Sequence, residues 1–212
     1  MAKNFVSDKD ESVRLFKSGF MEFFSKVHFS VPLFIYLPVI GYNLYLTYGY
    51  SINVLPALGL FVGGIVFWTI TEYTLHRFVF HYHPTSEFGK KIHFMMHGVH
   101  HDYPNDSLRL VLPPSVSIPL AVLFYFLFKP VLGGILNAPF YAGFVAGYLY
   151  YDIGHYAMHH FKINNKFWSA LKDHHMRHHY VDPDKGFGVS STIWDQVLGT
   201  MFNTAKKEKV SS

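Results

Sequence analysis

The stretch VLPALGLFVGGIVFWTITEYTLHRFVFH, residues 54–81, joins a long apolar run to a pair of histidines. The run contains no charged residue before Glu72. About 20 apolar residues suffice for a helix to cross a bilayer, where a helix satisfies its own backbone hydrogen bonds. We therefore expect residues 54–71 to span a membrane and to carry His76 and His81 on a helix that continues beyond it.

Further apolar stretches have the length of a membrane span, and they predict an all-α integral membrane protein. Its four transmembrane helices are expected in two hairpins, at residues 31–48, 54–71, 111–128 and 131–151. A short uncharged linker separates the first two spans, whereas only Lys129 and Pro130 separate the last two. Prolines inside several of these stretches predict kinks rather than loss of the helices.

The basic residues are distributed unevenly around the predicted spans. Of the 18 lysines and arginines, 17 lie before the first span, between the second and third, or after the fourth, and only Lys129 lies in a hairpin turn. Lysine and arginine are retained on the cytoplasmic side of a membrane. We therefore expect a multi-pass protein of a bacterial inner membrane or the endoplasmic reticulum, with both termini and the histidine-rich loops cytosolic. A soluble helical protein is the alternative, and it does not predict this distribution.

The flanking segments have their own patterns. Apolar residues recur at spacings of three and four before the first span, at Val13, Phe16, Phe20, Phe23 and Val27. This pattern predicts that residues 1–30 form an amphipathic interfacial segment, although an ordinary packing helix would give the same spacing. Residues 31–200 are expected to form a single domain, and residues 201–212 a polar tail.

Composition excludes several classes of protein. The absence of cysteine excludes disulfides, iron–sulfur clusters, thiolate-ligated haem and thiol nucleophiles. The net charge is +4, but no basic run is long enough to indicate a nucleic-acid partner. We interpret the positive charge as a consequence of membrane orientation.

Histidine is the residue type that points to a function. The chain has 15 histidines, of which 14 lie between His76 and His179. Ten fall into four spaced clusters: His76 and His81; His97, His100 and His101; His155 and His159; His175, His178 and His179. Residues at i, i+3 and i+4 share one face of an α-helix. Residues five apart differ by about 140°, so we expect a π-helical distortion or a break between His76 and His81.

Ten imidazoles are too many for one metal ion and enough for two, with about five nitrogens each and a position left for oxygen or substrate. Imidazole suits iron, zinc, copper and nickel, and the ligand set argues against calcium and magnesium. His28, His83 and His93 are expected at the surface. His160 and His174 adjoin the clusters and are candidates for donors to the ligands.

Carboxylates next to the clusters are candidates to orient the imidazoles, because a metal-bound histidine usually bonds an acceptor through its other nitrogen. The candidates are Glu72, Asp152 and Asp195, together with Asp173, for which a helix-surface ion pair is the alternative. We expect no catalytic residue beyond the metal ligands. The residues expected to line a substrate pocket are Tyr151, Phe187 and Trp194, although Phe187 between two glycines is also compatible with a plain turn.

The sequence around and between the histidines resembles that of the fatty acid hydroxylase superfamily. Within the superfamily it resembles the fatty acid 2-hydroxylase branch, whose members hydroxylate sphingolipid acyl chains. The resemblance covers about residues 54–200. It is carried by residues 72–81, by HFMMHGVHH at 93–101, by residues 102–114 with RLVLPP at 109–114, by YDIGH at 151–155, and by KGFGVSS at 185–191 with Trp194 and Asp195.

The resemblance implies a histidine-rich cytosolic cap on the spans that holds two metal ions. One ion would take His76, His81, His97, His101 and His178, and the other His100, His155, His159, His175 and His179. The implied reaction is hydroxylation of carbon 2 of a fatty acyl chain, either free or N-linked in a sphingolipid, with O2 and external electrons. Working iron is expected because zinc has no accessible change of oxidation state, although zinc could occupy the same ligands.

Residues 1–30 resemble no haem domain, so we expect the electrons to come from a separate donor, cytochrome b5-like or ferredoxin-like. Two other hypotheses stay open from the sequence. One keeps the fold and changes the substrate to a sterol, carotenoid or sphingoid base, with hydroxylation or desaturation. The other is a metal transporter or storage protein, although transporters place their ligands near the middle of the membrane.

Overall fold

The computed structural model describes residues 4–202 and contains helices but no strand in that part of the chain. The α-helices are α1 (Gly19–Phe24), α2 (Val31–Gly49), α3 (Val54–Leu75), α4 (Glu87–His93), α5 (Val99–Asp102), α6 (Pro114–His160), α7 (Lys166–Tyr180) and α8 (Ile193–Val197). Two π-helical segments, His76–Phe80 and Phe94–Gly98, continue α3 and α4. The all-helical prediction is confirmed; most of the polar tail predicted at 201–212 lies outside the described residues.

Three helical segments among the described residues are long and apolar enough to cross a membrane: Val31–Gly49, Val54–Phe80 and Pro114–His160. The last of these is not one continuous rod. Gly133 has a φ of 71°, which breaks the helical backbone, and Tyr141 Oη donates to the carbonyl of Ala121 at 2.8 Å. Residues 20 apart would be about 30 Å apart along a continuous helix. Helix α6 is therefore a hairpin of two arms.

The position of this reversal differs from the sequence prediction. The turn was expected at Lys129 and Pro130, whereas the helix continues through Pro130 and reverses at Gly133. Glycine adopts a positive φ without the steric cost that a Cβ atom imposes. Proline removes one helical hydrogen bond and crowds the carbonyl of the preceding turn, which kinks a helix but does not by itself reverse the chain.

Glycines bring α3 and the second arm of α6 into backbone contact. A Cβ atom at Gly143 would collide with the carbonyl oxygen of Phe61, and one at Gly64 would collide with that of Phe140. Around this contact lies a buried aromatic cluster that includes Tyr36 of α2. Close approach at small residues is a common way for membrane helices to pack, and here it fixes the two helices that carry histidines.

The helices that carry histidines extend beyond the predicted spans. The residues after 71 continue α3 to Leu75 and then form the π-helical segment, which is the distortion expected between His76 and His81. The second arm of α6 likewise continues past residue 151 to His160. The second π-helical segment, which contains His97, was not anticipated.

The N-terminal segment is less helical than its apolar spacing predicts. Of the described residues 4–30, only Gly19–Phe24 form a helix, with Ser18 as the N-cap. The preceding residues bend back instead, and a carboxylate oxygen of Glu22 accepts the backbone N–H groups of Leu15 and Phe16. The same side chain forms a largely buried ion pair with Arg109 at 2.6 Å, so the segment is tied to the loop before α6.

Candidate metal centre

Four structural elements bring the ten spaced histidines together. The π-helical turn after α3 supplies His76 and, at its end, His81; the second π-helical segment with α5 supplies the next three; α6 and α7 supply the remaining five. The histidines form two groups whose ligand atoms lie within 4.8 Å of one another: His76, His81, His97, His101 and His178 in the first, and His100, His155, His159, His175 and His179 in the second. These are the two sets that the family resemblance implies.

In the first group, the Nε2 atoms converge on one point. The Nε2 atom of His97 lies 3.1 Å from that of His76, 3.2 Å from that of His81 and 3.0 Å from that of His101. Two nitrogens that share an ion at about 2.0–2.1 Å lie roughly 3.0–3.4 Å apart. The observed separations match those expected for ligands of a common ion.

The second group has the same spacing. The Nε2 atom of His175 lies 3.0 Å from that of His159 and 3.1 Å from that of His179. The two groups also touch, because the rings of His101 and His179 stack with centroids 4.3 Å apart. In α5, His101 belongs to the first group and His100 to the second; in α7, His178 belongs to the first and His179 to the second. Each of the two helices therefore contributes to both groups.

Unpartnered nitrogens test whether a metal fits. The Nε2 atoms of His100, His155 and His178 are buried and have no hydrogen-bond partner among the residues that the structure describes. A buried polar atom without a partner carries a desolvation cost of about 1–3 kcal/mol. Coordination to a metal ion would remove that cost, so the donor set fits two metal ions.

Four of the clustered histidines outside the predicted spans favour the neutral form, which is the form that binds metals. Burial, followed by the proximity of neighbouring histidines, lowers the pKa of His97, His100, His175 and His179 well below the usual value. A neutral imidazole has one nitrogen with a free lone pair. The protonation state is therefore the one that coordination requires.

Two histidines of the first group are oriented by a loop, residues 181–192, whose role was not predicted from the sequence. His76 Nδ1 donates to the carbonyl of Phe187 at 2.6 Å, and His178 Nδ1 donates to that of Lys185 at 2.7 Å. These bonds leave Nε2 of each ring for a metal. The signal in the sequence is Gly186, whose φ of 71° lets the loop turn beside the rings.

Asp195 holds this loop in place. Its carboxylate accepts the backbone N–H groups of Phe187 and Gly188 at 2.9 and 2.8 Å and the hydroxyl of Thr200 at 2.6 Å. It also bonds His174, which lies outside the two groups, at 3.0 Å. Burial raises the pKa of Asp195, but hydrogen bonds from His174, Thr200 and Gly188 outweigh it and lower the pKa overall.

The other two carboxylates proposed to orient imidazoles contact different partners. Glu72 accepts the backbone N–H groups of Val189 and Ser190 at 2.7 and 2.8 Å, and also the Ser190 hydroxyl. Asp152 accepts the N–H of Leu112 and the hydroxyl of Tyr148, both at 3.1 Å. Glu72 thus fixes the loop of residues 181–192 through Val189 and Ser190. Asp152 ties the segment just before α6 to the second arm of that helix through the N–H of Leu112.

The remaining candidates lie outside the two groups. Asp173 is exposed on α7, as the helix-surface alternative requires. His160 stacks on Tyr156 with centroids 4.5 Å apart. His28 and His83 are exposed and His93 is half-buried.

A cavity of about 480 Å³ leads to the histidines. His97, His100 and His155 contribute to its wall, and most of its other lining side chains are apolar. Of the three residues expected to line a pocket, Tyr151 does so. Phe187 instead packs on the ring of His76, with centroids 5.8 Å apart, and Trp194 donates to Thr69 of α3 at 3.0 Å; neither is among the described residues that line the cavity.

Three polar aromatic residues of the cavity wall were not predicted from the sequence. Tyr36, Trp68 and Tyr148 line the cavity together with the carboxylates Glu72 and Asp152. These residues lie in apolar helices, where an aromatic residue is indistinguishable from core. The volume is typical of a small-molecule or lipid site.

Comparisons with known proteins agree with this geometry. The family model described as fatty acid hydroxylase matches residues 61–200. The dihydroceramide fatty acyl 2-hydroxylase FAH2 of Arabidopsis thaliana is 39% identical over 202 residues, covering 90% of this chain and 81% of that protein. Fatty acid 2-hydroxylase of Mus musculus is 36% identical, covering 89% of this chain and 56% of the mouse protein.

A solved structure described as full length scs7p, with only the hydroxylase domain visible, is similar in fold and sequence. It is 38% identical with a TM-score of 0.83, and the match covers 87% of this chain and 70% of that chain. The family match extends over more than half of the chain and includes all ten clustered histidines. The chain therefore belongs to the fatty acid hydroxylase family.

Proposed function

We propose that the protein hydroxylates carbon 2 of a fatty acyl chain, free or N-linked in a sphingolipid. Members of the fatty acid hydroxylase family are metal-dependent oxygenases, and this chain is an enzyme of that kind. In the proposed reaction, one C–H bond becomes C–OH, the second atom of O2 leaves as water, and two electrons and two protons are consumed. The relatives named as 2-hydroxylases support this choice of carbon.

The observation that carries the proposal is the continuity of the apolar cavity with both histidine groups. His97 belongs to the first group, His100 and His155 belong to the second, and all three lie in the cavity wall. A lipid in the cavity would therefore have its reacting carbon beside both groups. Apolar walls exclude water from that position, which protects reactive species from side reactions.

Side chains of this protein would position the acyl head group. Tyr151 lines the cavity and lies against His155, with ring centroids 5.8 Å apart. Tyr148 and Asp152 also line it, and the Tyr148 hydroxyl donates a hydrogen bond to Asp152 Oδ2. Polar groups beside the histidines suit a substrate whose carbonyl adjoins the reacting carbon.

We propose iron as the working metal, with the two sets of five histidines as its ligands. Two iron ions would supply the redox chemistry for activation of O2, which zinc cannot supply. Zinc accepts the same imidazole donors, so it would occupy the site without supporting turnover. The electrons would come from a redox protein of the cytochrome b5 or ferredoxin type.

We also propose four membrane crossings, with the histidines and both termini on the cytosolic side. The described helices α2 and α3 would make two crossings, and the two arms of α6 would make the others. The concentration of lysine and arginine at one set of helix ends supports this orientation.

Lipid analysis of cells with and without the protein would test the function. Under 18O2, cells that make the protein should accumulate 2-hydroxyacyl lipids carrying one labelled oxygen, and cells that make His155→Ala should not. A product lacking two hydrogens, or an oxidised sterol or carotenoid, would contradict the proposed substrate and reaction. Metal transport by vesicles containing the protein, without any lipid product, would contradict the enzyme assignment.

A further inference from the structure

The mouth of the cavity lies between two short helices. Helix α1 contributes Phe20 and Phe24 to the lining, and α4 with the π-helical segment after it contributes Ile92 and Met96. All four side chains are exposed as well as cavity-lining. The opening thus has an apolar rim on both sides.

The rim continues into a larger exposed apolar surface. Phe20 and Phe23 of α1 are 75% and 74% exposed, and Phe88 of α4 is 76% exposed. Isolated exposed apolar residues are common, whereas a contiguous patch usually marks an interaction site. Phe23 lies against Phe24, with ring centroids 5.3 Å apart, and Phe88 lies one helical turn before Ile92, so each extends one side of the rim. Apolar side chains on both sides of one opening indicate a shared partner.

The position of the opening points to the bilayer as that partner. Helix α1 ends at Phe24, shortly before the membrane-length helix α2 begins at Val31. Ser115 and Val116, at the beginning of the apolar helix α6, line the same cavity. The opening therefore lies at the level where the spans begin.

Charge and anchoring agree with this position. Lys17 beside α1, and Lys90 and Lys91 on α4, are exposed, as is typical of interfacial helices next to lipid head groups. The ion pair between Glu22 and Arg109 ties α1 to the body of the protein. Helix α1 is therefore held beside the cavity mouth, with its phenylalanines at the rim.

We propose that α1 and α4 lie in the lipid–water interface on either side of the cavity mouth and that an acyl lipid moves from the bilayer into the cavity between them. The identity of the lipid rests on the proposed function. The membrane contact of the two helices does not depend on it.

Spin labelling tests the membrane contact, and the absence of cysteine makes single-site labelling straightforward. We would label Phe20→Cys and Phe88→Cys in phosphatidylcholine and phosphatidylglycerol vesicles. Val62→Cys, exposed in the middle of α3, gives the lipid reference, and Asp184→Cys, exposed in the loop of residues 181–192, gives the water reference. Collision rates with O2, which partitions into lipid, and with chromium oxalate, which stays in water, report the position of each label.

Labels at positions 20 and 88 should be reached by O2 in preference to chromium oxalate, as at position 62. Labels that behave like the one at position 184 would overturn the proposal. Protection from both reagents with spin–spin broadening would also overturn it, because the face would then be covered by a second copy of the chain.

Kinetics test the passage of lipid. A carboxylate at the interface costs little for folding but disfavours the approach of an acyl chain, so Phe23→Glu and Phe88→Glu, both outside the cavity lining, should each raise the KM for a vesicle-embedded acyl lipid about fivefold. The kcat should be unchanged, and Asp184→Asn should have the wild-type KM. An unchanged KM in both glutamate variants would contradict entry between the helices. If the labels face lipid but the wild-type protein forms no hydroxylated product, the result would contradict the proposed function and leave the membrane contact of α1 and α4 intact.

Discussion

The two histidine groups have the same ligand type and number but are supported in different ways. In the first group, His76 and His178 are oriented by the carbonyls of a loop, and two of the five members are only half-buried. In the second group, four members are buried, and His175 Nδ1 and His179 Nδ1 have no hydrogen-bond partner among the described residues. The first group therefore depends on a loop and the second on helix packing.

Removal of one ligand from each group should give the largest effects. His178→Ala removes a ligand of the first group and His155→Ala one of the second, so each should lower metal content from about two ions per chain to about one, with product formation reduced by more than about 100-fold. Metal analysis and product mass spectrometry measure the two effects. His28→Ala, exposed and distant in sequence, is the control. Full metal content and activity in either variant would contradict the ligand assignment.

Asp195→Ala should separate the groups. The substitution removes the acceptor of the backbone N–H groups of Phe187 and Gly188, so it should weaken metal binding to the first group by about 10–100-fold. Binding to the second group should change little, because its helices remain packed. Metal titration of the metal-free protein measures both affinities, with Asp173→Ala as the control. Equal weakening of both groups would show that the loop supports them jointly.

Chelation should also distinguish the groups, with a smaller effect. Local opening of a loop requires less free energy than separation of packed helices. A chelator should therefore remove the ion bound by the first histidine group about tenfold faster than the ion bound by the second group. Release followed by absorbance of a metal indicator should have two phases. His155→Ala should retain the fast phase alone. Release in a single phase from the wild-type protein would argue against the difference in support.

Gly186→Ala should give the smallest effect. A methyl group at this position meets the ring of Phe202, and the φ of 71° is strained for alanine, so we expect a loss of about 1–3 kcal/mol of stability. Gly199→Ala is a matched control, because it has the same φ of 71° and no neighbour within 4 Å. Thermal unfolding of both variants separates backbone strain from the steric contact. Equal losses would assign the whole effect to the backbone.

The helical fold and the grouping of histidines could be predicted because both depend on local periodicity. Spacings of three and four place imidazoles on one helix face, and the spacing of five between His76 and His81 predicted a π-helical distortion that the structure contains. The segments that carry these histidines continue apolar helices, which the hydropathy pattern reveals. This information lies within a few helical turns of each residue.

The hydrogen bonds that orient the imidazole rings could not be predicted from the sequence, because their acceptors are backbone carbonyl groups. Any residue can present the carbonyl that Lys185 and Phe187 present. Glu72 lies one turn before a ligand and was expected to contact an imidazole, yet it bonds backbone more than 100 residues later in the chain. The late start of α1 at Gly19 has a similar cause, since Glu22 accepts the backbone N–H groups of Leu15 and Phe16, which a longer helix would include.

The glycine contact between α3 and α6 lies at the same distance along each helix from the histidine that the helix carries. Gly64 precedes His76 by 12 residues, and Gly143 precedes His155 by the same 12 residues. Each helix therefore rises about 18 Å from the contact before it presents its histidine. Insertion of one residue in either interval would shift that imidazole by about 1.5 Å and rotate it by about 100°. Because the two intervals have equal length, the register in which α3 packs against α6 determines whether the histidines of the two helices meet.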